Sequence, residues 1–360
     1  MKRMFLLLVC ASALLFSGCT GDEIDNMAYV VAIGVDEAKG GYEFTFAIGN
    51  PNGIGGGDEG GGDENVLIYE KQYGSDIFTA GEKVSSKIGQ RLNFSHGELI
   101  VFSDGVASRG VDVFADALTR NLNQRPKLVT AVSEASAGET LKSINSKYEG
   151  NPEKYLKKVF EAPWSATAIK TNSRDFVSQI KNTDAVYNAP YISADDNGIN
   201  ISGVSVFKGG KTIYRFDDIF SYKLIRGEVE DLSYDVSGVG SVVINQNEKP
   251  RIHVDCKEIP HISVEIPLEC FVSSLSVSEE KEKLFELVES ILTQRLKSAF
   301  NHSSKDAGID CFEFERYGRK CFLTWDDWQE YNWNEKFKYA DFDVDITIKP
   351  VKTGLVKDGL

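Results

Sequence analysis

The chain opens with Lys2 and Arg3, then runs without a charge from Met4 to Phe16, then places the small pair Ser17-Gly18 directly before Cys19. A basic start, an apolar stretch and small residues before a cut are the parts of a secretory signal peptide. The cysteine after the cut makes it a lipoprotein signal. Small residues let the peptidase close around extended backbone, and the new N-terminal thiol carries a diacylglyceryl group, with palmitate expected on the freed amine. Phe16 stands three residues before the cysteine, where leucine is usual. A membrane-spanning helix needs about 20 apolar residues, and this run ends well short of that before Gly21-Asp22-Glu23. The expected product begins at Cys19, and two acyl chains hold such a body stably where one is marginal.

After Cys19 no second long apolar run follows, so the rest of the 360-residue chain is expected to fold outside the bilayer. Its length suits two or three domains, and a hydrophobic content of 42% can fill their cores. The formal charge is −14, and more negative once Lys2 and Arg3 leave with the signal. That excludes nucleic acid as a partner and excludes attraction to anionic lipid, so attachment falls to the N-terminal lipid. Cys256, Cys270, Cys311 and Cys321 form no C-x-x-C pair. Four cysteines allow several connectivities, so free thiols and a bridge such as Cys311–Cys321 both remain open.

Taken in order, Tyr29–Asp36 and Tyr42–Ile48 read as a hairpin about Lys39-Gly40-Gly41. The glycine-rich stretch 53–62 cannot bury apolar surface and reads as a solvated loop, without the tandem copies a calcium β-helix needs. A strand from Val66, a helix capped by Ser75, a strand to Phe102, a helix over 106–121 and a strand over Leu128–Val132 give helix–strand alternation on one sheet. Helices follow near Glu153–Phe160 and Arg174–Lys181. The polar segment Asn188–Asn200, with Asp195-Asp196-Asn197-Gly198, reads as a boundary. Beyond it, strands are expected over 201–207, 211–216, 220–225, 241–244, 251–255 and 261–266. The longest helix is expected over Glu279–Phe300, with a Ser276/Glu279 capping box and a stripe through Leu284, Val288, Leu292 and Leu296. Asp341–Lys349 alternates apolar and polar positions, as a strand with one wet face does. The fold class is α+β. Three domains are expected after the 1–18 signal, over 19–197, 198–272 and 273–360.

No chemistry announces itself. His96, His253, His261 and His302 stand singly, without metal-ligand spacing, so no metal or other cofactor is expected. Gly209-Gly210-Lys211-Thr212 lacks the first glycine of a phosphate loop, where Ser205 stands. There is no G-x-S-x-G elbow, and the pairs Asp217-Asp218 and Asp326-Asp327 read as solvated surface. Trp325, Trp328 and Trp333 could stack sugars, but fit a core or a subunit contact better. No catalytic residue is expected, and the chain is read as not an enzyme.

The order of segments resembles the C-subunit lipoproteins of spore nutrient germinant receptors, the Ger(x)C family. The resemblance rests on Cys19, on Asp22-Glu23-Ile24-Asp25, and on the strand ending in Gly34-Val35-Asp36. It continues through Phe94-Ser95-His96 before Leu99–Phe102, through Ala107, Gly110 and Arg120, and through Gly203–Gly209, where Ser205 replaces the family's alanine. Gly308-Ile309-Asp310, Trp333-Asn334 and Lys352-Thr353-Gly354 follow in family order. The resemblance implies a non-enzymatic, three-domain lipoprotein on the outer face of the inner spore membrane. It would act with two polytopic membrane subunits in assembly or signal relay, with only Cys19 carrying a defined chemical role. The rival expectation is a lipid-anchored protein that itself binds a solute or glycan.

Overall fold

The computed structural model describes residues 26–50, 66–120, 128–144, 151–180, 186–276 and 281–351. The signal peptide, Cys19, Asp22–Asp25, the glycine-rich stretch 53–62, Glu279 and Lys352–Gly354 lie outside the described residues.

Strands β1 (Met27–Ala38) and β2 (Gly41–Gly49) form the expected hairpin, turning at Lys39-Gly40, where Gly40 takes φ +80°. Strand β3 (Leu67–Gly74) pairs antiparallel with β2. Helix α1 (Ile77–Ile88) then packs back on the sheet. Its cap is Asp76 and not Ser75: Asp76 Oδ1 accepts from the Phe78 and Thr79 amides at 2.9 Å each, while Ser75 Oγ donates to the same carboxylate. A carboxylate accepts two amide hydrogens at a positive helix start, which a hydroxyl does less well.

Strand β4 (Arg91–Asn93) pairs with the start of β1, and β5 (Leu99–Ser103) lies parallel to its middle. The expected single helix over 106–121 is broken. Helix α2 (Asp104–Arg109) stops at Gly110, with φ +134°, and the chain resumes through a 3₁₀ turn at Asp112–Phe114 into α3 (Ala115–Arg120). At the break the Val111 amide donates to Gly210 O, a bond that an unbroken helix would not allow. Val113 is exposed in consequence.

Strand β6 (Val129–Ser133) adds in parallel. Helices α4 (Ala137–Lys142), α5 (Pro152–Glu161) and α6 (Ser173–Ile180) lead to β7 (Val186–Asp195), also parallel to β6. Strands β8 (Gly198–Lys208) and β9 (Lys211–Phe216) complete a nine-stranded sheet in the order β3-β2-β1-β5-β6-β7-β8-β9, with β4 beside β1. The Asp195-Asp196-Asn197-Gly198 segment is therefore the tight turn of the β7–β8 hairpin, inside this sheet. Turn chemistry is the same in a hairpin and in a linker, which is why the sequence suggested a boundary there.

The first sheet is covered on both faces, so β5 and β6 are buried along their whole length. One face packs Ile33, Phe44 and Phe102 under α1, α2, α3 and α6, with Phe176 of α6 against them. The other continues through α4 and α5 into the second half of the chain as one contiguous core.

Helix α7 (Ile219–Arg226) makes that connection, where a strand was expected. Its residues from Ile219 to Ile225 are all buried, and Phe220-Ser221-Tyr222-Lys223-Leu224 alternates apolar and polar residues as a strand does. The signals that betray it are caps: Asp218 accepts from the Ser221 amide at 3.1 Å, and Gly227 ends it at φ +69°.

A five-stranded sheet follows, in the order β10 (Leu232–Val236), β11 (Gly240–Asn245), β13 (Pro260–Leu275), β12 (Arg251–Cys256), with β14 (Asp341–Pro350) on β13's other edge. β11 and β12 share one edge of the 16-residue β13 end to end, and β14 runs parallel to it from His261↔Asp341 to Cys270↔Pro350. Helix α8 (Lys281–Asn301) lies across this sheet with Leu284, Val288, Leu292, Leu296 and Phe300 buried, as expected. A π-type turn over His302–Ala307 continues it. Short helices α9 (Glu315–Gly318), α10 (Trp325–Tyr331) and α11 (Trp333–Phe337) precede β14. The fold is α+β, with two mixed sheets and one long helix near the C-terminus.

Candidate functional site

The motifs that carry the resemblance turn out to be joints of the fold. In Gly34-Val35-Asp36, Asp36 is 8% exposed and reaches across the sheet face to the start of α4. Its two oxygens accept from the Ala137 amide at 2.7 Å, the Gly138 amide at 2.8 Å and Ser136 Oγ at 2.9 Å. A carboxylate so placed satisfies helix-start amides that have no intrahelical partner. Gly34 is required beside it, because a Cβ there would lie 3.0 Å from the Ala137 carbonyl carbon.

His96, in Phe94-Ser95-His96, turns to helix α5. Its Nδ1 lies 3.1 Å from Glu153 Oε1 on α5, and its ring meets Tyr29 edge-on at 5.0 Å. Glu98 is buried, with Lys157 Nζ at 3.6 Å. Both acids tie α5 and the β4–β5 turn together.

Gly209-Gly210 forms the turn from β8 to β9 with both residues at positive φ, and its carbonyl receives Val111 as described. In the same motif Ser205 is fully buried, and its hydroxyl has no hydrogen-bond partner.

A further set of polar contacts ties the first sheet and α7 to α8 and the chain beyond it. Asn188 on β7 donates from Nδ2 to Cys311 O and to Glu313 Oε1, 3.0 Å each. Arg226, at the end of α7, pairs with Glu228 at 2.9 Å and approaches Glu313 at 3.9 Å. Asp218 was read as solvated surface. It is instead the acceptor for Arg295 of α8, with Nη2 at 2.6 Å and Nε at 3.1 Å, and Arg295 also stacks over Phe220. Burial pulls the Asp218 carboxyl upward, but Arg295 and Ser221 together hold it below its ordinary range.

Asp310 closes the joint. It is 2% exposed and accepts from the Phe314 amide at 3.0 Å, the Glu315 amide at 2.7 Å and Trp333 Nε1 at 3.2 Å. Burial pushes its carboxyl up to about 6 despite these three donors. The tryptophans therefore do not assemble an exposed platform. Trp328 and Trp333 are buried, stacked among Phe322, Tyr331 and Phe337, and Trp325 alone of the three is exposed.

The four cysteines among the described residues are free thiols. Cys321 lies beside Cys256 and not Cys311: Cys256 Sγ donates to Gly318 O at 3.5 Å, and Cys321 Sγ to Val254 O at 3.2 Å. Cys311 is buried beside Ser303. Among the described residues no group of three or more His, Cys, Asp or Glu side chains is placed to hold a metal ion. What this arrangement does chemically is to fix two sheets in one relative position.

The class of protein follows from comparison with known chains. The family described as the spore germination protein N-terminal domain matches residues 21–194. The family described as spore germination B3/GerAC-like, C-terminal, matches residues 202–354. The chain belongs to the GerC-type spore germination proteins that these two matches define together. It is similar to spore germination protein GerQC of Bacillus cereus, at 24% identity over 99% of this chain and all of that one. It is also similar to spore germination protein KC of Bacillus subtilis (strain 168), at 23% identity over 93% and 92% of the two chains. Its fold is shared with the crystal structure of the GerBC protein, with a TM-score of 0.57, 14% identity, and coverage of 89% of this chain and 97% of that one.

Sequence reasoning placed Gly34, Asp36, Gly209 and Asp310 within motifs but gave none of them a partner. It read Asp218 as surface and Asn188 as part of a boundary, and did not single out Arg295. The cap spacing Asp218-x-x-Ser221 was the available signal for Asp218; nothing local marked the other two.

Proposed function

We propose that this chain is the lipid-anchored subunit of a nutrient germinant receptor on the inner spore membrane. Cys19 carries the diacylglyceryl anchor, and the folded body stands on the outer face of that membrane. There it docks two polytopic subunits and serves receptor assembly or signal relay rather than catalysis. The observation that supports the reading most is that both germination-family matches fall in one chain, over residues 21–194 and 202–354, directly behind the Ser17-Gly18-Cys19 signal. Among the described residues no helix is long and apolar enough to cross a membrane, so in this reading attachment falls to the lipid.

The test is Cys19→Ala in the full chain. The variant is expected to leave the membrane fraction, to lose its lipid by mass spectrometry, and to slow nutrient-triggered germination. A Cys19→Ala protein that stays with the membrane as wild type does would overturn the anchoring claim.

A further inference from the structure

Two thiols from distant parts of the chain meet where the turn before α10 lies against the second sheet. Cys256 ends β12, and Cys321 ends the 3₁₀ turn Arg319–Cys321. Each sulfur bonds into the other's segment: Cys256 Sγ donates to Gly318 O at 3.5 Å, and Cys321 Sγ to Val254 O at 3.2 Å. This crossing sets the two sulfurs side by side, in hydrogen-bonding contact with each other. Cα atoms of the turn come within 8 Å of β12. The backbone therefore stands near the separation that a disulfide requires. Among the described residues β12 has a strand partner, β13, on one side only, and the Cys321–Val254 bond holds the turn against it.

The two thiols are unequal. Cys321 is exposed, while Cys256 is half-buried behind it, beside Tyr331. Burial, and then Cys321 itself, push the Cys256 thiol up to about 12, so Cys256 keeps its proton while Cys321 meets the solvent. An accessible sulfur backed by a second one is the arrangement of an attacking and a resolving cysteine. Cys270 and Cys311 are buried.

We propose that Cys256 and Cys321 form a thiol–disulfide exchange site, which takes low-molecular-weight disulfides and closes to fasten the turn before α10 onto β12. The Cys321 thiolate attacks one sulfur of a disulfide R–S–S–R and expels the other as R–S⁻, which takes up a proton. Cys256 then gives its proton to solvent and attacks Cys321 Sγ, expelling the second R–S⁻. Two protein thiols are oxidised to one disulfide, and one R–S–S–R is reduced to two R–SH. Excess R–SH reverses both steps. The site belongs to the folded body alone and stands or falls apart from the Cys19 reading.

The experiment is incubation of the purified full chain with oxidised glutathione, then alkylation of the remaining thiols and peptide mapping by mass spectrometry. The Cys256–Cys321 bridge is the expected end product, with Cys270 and Cys311 recovered as alkylated thiols. The closed chain should melt at a higher temperature than the chain treated with dithiothreitol, because the cross-link restricts the unfolded state. Cys256→Ser should halt at a stable glutathione adduct on Cys321. Cys321→Ser should form an adduct on Cys256 about tenfold or more slowly. Because closure waits on the Cys256 proton, the mixed disulfide of the wild type should decay faster as pH is raised. A wild-type chain that stays a dithiol, that keeps the glutathione adduct without closing, or that closes with no rise in melting temperature would overturn the proposal. Equal adduct rates in the two serine variants would do the same.

Discussion

At the scale of single residues, two buried polar groups make opposite contributions. The Ser205 hydroxyl is sealed in the first sheet without a partner. Burying such a group unbonded costs about 1–3 kcal/mol. Ser205→Ala, which restores the residue the family resemblance leads one to expect, should therefore leave stability unchanged or raise it by about 1 kcal/mol in urea unfolding. Asp310 is the reverse case, a carboxylate with three donors that burial nonetheless drives toward protonation, up to about 6. Because its folded value lies above its unfolded one, the folded state binds more protons between them. Its contribution is then fully present below about pH 4 and is lost as pH rises toward 6. Asp310→Asn should be less stable than wild type at pH 7, because an amide cannot accept from all three donors. The stability difference between the two proteins should change over pH 4–6, which urea titrations across that window will read. A constant difference would mean that Asp310 is ionised throughout.

At the scale of elements, what the sequence revealed depended on whether an element has two unlike faces. β9, α8 and β14 are half-wet, so their apolar positions recur with period 2 or 3.6, and each stands close to where that period puts it. Helix α7 has no wet face over Ile219–Ile225, and its alternating Phe220-Ser221-Tyr222-Lys223-Leu224 reads as a strand. Only Asp218 and Gly227 at its ends tell the two apart. The break at Gly110 depended on Gly210, 100 residues on, and such a partner leaves no local trace. The motif residues share this property: Asp36 is recognisable as part of Gly-x-Asp, but its purpose is set by α4, 101 residues away. The Cys256–Cys321 neighbourhood is equally non-local and can be checked directly. Copper-phenanthroline oxidation, which takes two electrons from the thiol pair as two protons leave, should join Cys256 to Cys321. Cys270 and Cys311 are buried, and peptide mapping should recover both as thiols. A Cys311–Cys321 bridge in the map would contradict the packing of α9 and the 3₁₀ turn at Arg319–Cys321 against β12.

At the scale of the whole molecule, the parallel pairing of β14 with β13 brings the last described strand back beside a strand about eighty residues earlier. One contiguous core then runs from the first sheet through α7 to α8 and β14. Arg295–Asp218, Asn188–Cys311 and Asn188–Glu313 cross it as polar ties. Core and ties together hold the two sheets as one body. The central claim is that such a body works at the membrane beside two polytopic subunits. The most direct measurement is a pull-down of the tagged, lipidated chain from spore membranes, followed by mass spectrometry of the proteins recovered with it. The account predicts two polytopic membrane subunits in the eluate, lost when Cys19→Ala replaces the wild type. Recovery of the chain by itself, from membranes in which it is abundant, would contradict it.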